Sequence, residues 1–143
     1  MSLKTIIRLH KWQLDEKRRA LADLQNLHDR LGAELQRLRQ EIHHEQETAR
    51  NDPVAAFGYP AFARAARERE HRLLQSIEQV ERQIAAATEE MSLALQELKR
   101  FELAEEERMK REREKIRRKE DAMLDETALV GFRRRQAQES AGQ

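Results

Sequence analysis

Leu21-Ala22-Asp23-Leu24-Gln25-Asn26-Leu27-His28-Asp29-Arg30-Leu31-Gly32-Ala33-Glu34-Leu35-Gln36-Arg37-Leu38 places leucines at 21, 24, 31, 35 and 38, in alternating steps of three and four with His28 as the polar interruption. A 3.5-residue repeat keeps one stripe of side chains on the same side of a helix, so this stretch reads as coiled coil. The same steps carried outward give Leu3, Ile7, His10, Leu14 and Lys17 before it and Ile42, Glu45 and Ala49 after it. Ten of these fourteen positions are apolar, enough to define a seam about 47 residues long. After a break the repeat resumes at Ala66 and runs through Leu73, Ile77, Val80, Ile84, Ala87, Met91, Ala94, Leu98 and Phe101.

The break itself, residues 51–59, holds Pro53 and Gly58 and has no heptad pattern, so it is expected to be the turn. Helix one then covers about residues 3–50 and helix two about 60–135. Pro60 suits the first turn of the second helix, where its missing N–H costs nothing. Gly32 is a local weakness of about 1 kcal/mol relative to alanine that leaves the first helix intact. Folded back on itself, residue i of the first stripe faces a residue near about 108 minus i of the second, and both apolar stripes end together. The expected fold is all-α: a single domain formed by a long two-helix antiparallel coiled-coil hairpin, with the C-terminal part of helix two overhanging. Residues 136–143 are expected to be a disordered tail.

Composition points the same way. Charged residues make up 38% of the chain, with only 4 Gly, 2 Pro and one Trp, which describes long polar helices rather than a packed globule. Two helices bury only one seam, so the core is thin and stability modest for the length. A formal net charge of +1 gives no overall attraction to nucleic acid. With no cysteine there is no disulfide, thiol nucleophile or thiolate metal site. Neither a signal peptide nor a membrane-spanning run is expected, which makes the cytoplasm the default location.

Past Leu103 the character changes. Over residues 105–135 the main seam fills with Glu105, Arg108, Glu112, Lys115 and Lys119, while Met109, Ile116, Met123 and Val130 recur once per heptad in a shifted register. Helix one is too short to cover this stretch. At 1.5 Å per residue, helix two would be about 110 Å long with about 45 Å unpaired. Pairs four apart, such as Glu106 with Lys110 and Glu114 with Arg118, support a lone helix by a few tenths of a kcal/mol each. A solvated helix is the plain reading. The sharper one takes these four residues, with Leu124 and Phe132, as an apolar stripe awaiting a partner.

Catalytic chemistry is hard to find. His43, His44 and Glu47 lie within one turn, but adjacent histidines point about 100° apart around a helix and no spaced ligand completes a set. They read as surface residues. His10, Lys17, His28 and Glu45 sit in the first seam, where polar residues fix register at some cost in stability. No Gly-rich phosphate loop, nucleophile elbow or His-Glu-x-x-His motif is present, so no cofactor is expected.

Leu3, Ile6, Arg8, Asp15 and Glu16 at the start, a hairpin of this length, and Asp125-Glu126-Thr127-Ala128 ahead of an arginine cluster together resemble the FliJ family of flagellar type III export proteins. The resemblance spans essentially the whole chain. It implies an antiparallel coiled coil similar to the central stalk subunit of rotary ATPases, with the export ATPase hexamer, the export gate membrane protein and substrate chaperones as partners. It also implies a non-enzymatic protein peripherally associated with the export apparatus at the inner membrane. The end inserted into the ATPase ring would carry Leu3, Ile7, Met109, Ile116, Met123 and Val130. The gate contact would start at Tyr59 and Phe62 and continue through Ala66 and Leu73, although Arg69 departs from the small residue the family pattern has there. The plain alternative for Tyr59 and Phe62 is packing at the hairpin tip.

Two other classes stay open. The basic run from Arg108 to Lys119 would bind nucleic-acid phosphates, but it lacks interleaved aromatics for base stacking and is flanked by Glu105, Glu106, Glu107, Glu120 and Asp121. A generic cytosolic coiled-coil scaffold is the other.

Overall fold

The computed structural model describes residues 1–142. They form two long helices packed against each other, with no strand among the described residues: α1, Leu3–Asn51, and α2, Pro53–Ala141.

Each boundary has a local cause. Ser2 opens α1: its hydroxyl accepts from the Thr5 N–H at 3.2 Å and its carbonyl from the Ile6 N–H at 3.1 Å. Asp52 alone separates the helices. Its N–H donates to the Thr48 carbonyl at 3.1 Å, closing α1, while its carboxylate accepts from the Val54 N–H at 3.0 Å and its carbonyl from the Ala56 N–H at 3.1 Å. Pro53 therefore occupies the first position of α2, where no donor is needed.

This corrects the expected boundaries. Residues 53–59 are helical, the junction is Asp52, and Pro60 lies inside α2 instead of opening it. The breakers are outweighed because Asp52 and Pro53 already make a complete start signal, and because stepping back from Ala66 by three and four reaches Ala63 and Tyr59, both half-buried. Helix also continues to Ala141, past the expected end at 135, so the tail expected to be disordered is helical through Ala141; its last residue, Gln143, lies outside the described residues.

The chain divides into two compact units, Arg8–Leu98 and Met1–Ile7 with Lys99–Gln143. In the first, Leu35, Leu38, Ala66 and Leu73 form a buried cluster, with Leu31, Ile42, Phe62 and Ile77 packed against it. Leu14, Leu21, Val80 and Leu98 are buried at other points of the same unit. Every seam position named up to Phe101 is buried or half-buried. The core is nonetheless thin: no large side chain among the described residues falls below 2% exposure.

Ion pairs bridge α1 and α2 beside this core. Lys17 meets Glu90 at 3.0 Å, His28 Nε2 meets Glu81 at 3.1 Å, and Arg39 meets Glu70 at 3.6 Å, so the α2 partner's number falls as the α1 number rises. Glu34 meets Arg69 at 3.3 Å. The Lys17, Arg39 and Arg69 pairs are accessible to solvent and contribute about 0.2–1 kcal/mol each, which makes all four contacts markers of register more than sources of stability.

In the second unit Leu3, Ile7 and Phe101 are half-buried and Glu105 is buried, at 8% exposure. From there the pattern stops: residues 106–130 and 132–142 are all exposed, with Gly131 half-buried between them.

Candidate interaction surfaces

The depressions found among the described residues are open to solvent, so the candidate sites are surfaces. The first is the C-terminal part of α2. Met109, Ile116, Met123 and Val130 are between 41 and 68% exposed, and Leu124, Leu129 and Phe132 are at least half exposed as well. One heptad spacing puts the four on a single slowly drifting line along the helix. Near its end Met123, Thr127, Val130 and Arg134 border a shallow groove. Thr127 leaves that groove free of an unpaired hydroxyl by donating to the Met123 carbonyl at 2.8 Å. Leu3 and Ile7, assigned to the same contact by resemblance, are half-buried seam residues and present far less surface than the stripe.

The stripe begins just past a buried charge. The Glu105 carboxylate accepts two hydrogen bonds from Arg108, Nε to Oε2 and a terminal nitrogen to Oε1, both at 3.0 Å. That fork holds the Glu105 carboxyl below its usual range against the opposing pull of burial, and the Arg108 charge and Lys4 add to the lowering. Arg108 is raised by the same bond. In the heptad register Glu105 occupies the next seam position after Phe101, and Arg108 meets its charge there.

The second surface lies near the start of α2. The rings of Tyr59 and Phe62 are 6.4 Å apart and tilted by 40°, within the centroid separation at which aromatic pairs interact. Both are half-buried, and Phe62 packs on the core cluster. Ala66 and Leu73, grouped with them by resemblance, are themselves members of that cluster. They stand buried on the face turned toward α1, beneath that surface. Arg69 is exposed and engaged with Glu34 across the helices, which gives its size and charge a structural use.

Of the seam polar residues, Lys17 and His28 reach carboxylates on α2. His10 and Glu45 are half-buried. His43 and His44 are exposed, and Glu47 pairs with Arg50 at 3.1 Å. Sequence reasoning passed over Trp12, Leu9 and Leu103, all strongly exposed. Their signal was available: each is a large apolar residue outside the heptad stripe.

Among the described residues no group of three or more metal-ligating side chains comes together, and no helix is long and apolar enough to cross a membrane. A family model, that of the flagellar FliJ protein, matches residues 1–137. No curated protein and no solved structure matches the chain.

Proposed function

The chain belongs to the flagellar FliJ family, and from that premise we propose that it is a non-enzymatic stalk of the flagellar export apparatus. Its two helices run antiparallel as a coiled-coil hairpin, and the C-terminal part of α2 overhangs. The fall of contact partners from Glu90 through Glu81 to Arg69 and Glu70 as the α1 residue goes from Lys17 through His28 to Glu34 and Arg39, and the exposure of residues 106–130, support this arrangement. The overhang, together with the N-terminal turn that carries Leu3 and Ile7, enters the ring of the export ATPase and promotes its assembly and activity. Tyr59 and Phe62 contact the export gate membrane protein, with Ala66 and Leu73 holding them from beneath. Substrate chaperones are further partners. The protein works at the cytoplasmic side of the inner membrane without inserting into it, and nucleic acid is not a ligand.

One observation carries this reading: a family member keeps Met109, Ile116, Met123 and Val130 on one line of a helix and exposes all four. Apolar side chains held in water at seven-residue spacing have no use in the fold and suit reversible contact, methionine especially because it adapts to uneven surfaces. Replacing all four by serine should leave helicity intact and remove stimulation of the export ATPase, measured as phosphate release. Stimulation at the wild-type level would refute the stripe as the contact.

A further inference from the structure

Positions 60, 64, 67 and 71 of α2 recur at intervals of three and four and so share one face of the helix. Arg64 and Arg67 lie on it, with Arg72 alongside, and all three are exposed. Among the described residues no carboxylate is within ion-pair distance of any of them. The nearby acids are occupied elsewhere: Glu70 by Arg39 at 3.6 Å and Glu78 by Arg82 at 3.6 Å. Only Glu68 remains on the strip, against three arginines.

The strip is also grooved. One shallow depression runs from Tyr59 and Ala63 to Arg67, and a second, sharing Arg67 and Glu68 with the first, continues to His71. Apolar lining at one end thus meets guanidinium groups that outnumber the one carboxylate, Glu68, along the rest. Lys17, Arg39 and Arg69, by contrast, are each engaged with the opposite helix.

We propose that this strip docks an acidic peptide segment of a partner protein, with its carboxylates on Arg64 and Arg67 and an apolar side chain seated beside Tyr59 and Ala63. Guanidinium groups take carboxylates in a two-pronged geometry that adds direction to charge. Glu68 in the middle repels a uniform polyanion such as a nucleic acid or an anionic lipid surface, whereas a peptide can set an amide or lysine opposite it. The inference rests on the reading of Tyr59 and Phe62 as a contact surface and adds the chemistry of what they meet.

The test uses the full chain and two synthetic helical peptides, one with glutamates at helical spacing around a leucine anchor and one with glutamine in their place. The glutamate peptide should bind, the glutamine peptide should not, and raising salt from about 50 to about 300 mM should weaken the complex. R64E/R67E should reduce affinity about tenfold or more, since a like-charge contact replaces each attraction, and R117E/R118E in the other basic run should not. R64Q/R67Q, with helicity checked, guards against loss of fold. Wild-type affinity in R64E/R67E, equal loss in R117E/R118E, or preference for anionic vesicles or an oligonucleotide over the peptide would overturn the proposal. Binding of the gate's cytosolic part to Y59A/F62A separates the two claims. Loss there, with R64E/R67E unaffected toward both ligands, would leave the contact reading standing and this inference overturned; full gate binding by Y59A/F62A would remove the contact reading itself.

Discussion

Asp52 joins the two helices through three hydrogen bonds, one closing α1 and two opening α2. Replacing it with alanine removes the side-chain cap and should cost about 1 kcal/mol, read as a lower urea midpoint with an unchanged slope. The Asp-Pro pair was visible in the sequence, but Gly58 and Pro60 following within eight residues made the whole stretch read as a turn. A helix tolerates both once the cap at Asp52 and the packing of Tyr59 and Phe62 hold its first turns in place. Glu105 is the other decisive residue. Its carboxyl is held below the ordinary value of 4.5 by Arg108, so its stabilising effect is in place above that value and is lost as pH falls through the lower native one. The wild-type melting temperature should therefore drop more steeply on acidification than that of Glu105→Gln, whose amide cannot titrate. Equal slopes would mean that the fork contributes nothing to folding.

At the scale of elements, α1 and the paired part of α2 were legible because a 3.5-residue repeat has one physical cause, a stripe facing a partner helix. The register markers were legible as well: polar seam residues Lys17 and His28 find carboxylates on the opposite helix. The gate assignment was less so. Resemblance gave Ala66 and Leu73 as contact residues, yet their own heptad positions required them inside, and the structure buries both. Apolar residues thus fall into two groups by position. Leu38 is in the core cluster, and Leu38→Ala should destabilise by about 2–4 kcal/mol. Met123 is exposed in the stripe, and Met123→Ser should stay within about 0.5 kcal/mol of wild type. Thermal unfolding followed by circular dichroism distinguishes them, and a large loss for Met123→Ser would mean that the stripe packs within the fold.

For the whole molecule, the sequence supplied helical class and family, while the function of the tail depends on surfaces that composition alone does not resolve. A charged helix and a contact helix have the same overall makeup; what separates them is that Met109, Ile116, Met123 and Val130 are aligned and all exposed. The central claim is that this part of α2 acts on the export ATPase and that the rest of the chain folds without it. Truncation after Leu103 tests it most directly, with helicity and ATPase stimulation measured on the same preparation. The remaining helix pair should stay folded while stimulation and ring assembly are lost. Full stimulation by the folded, truncated chain would contradict it.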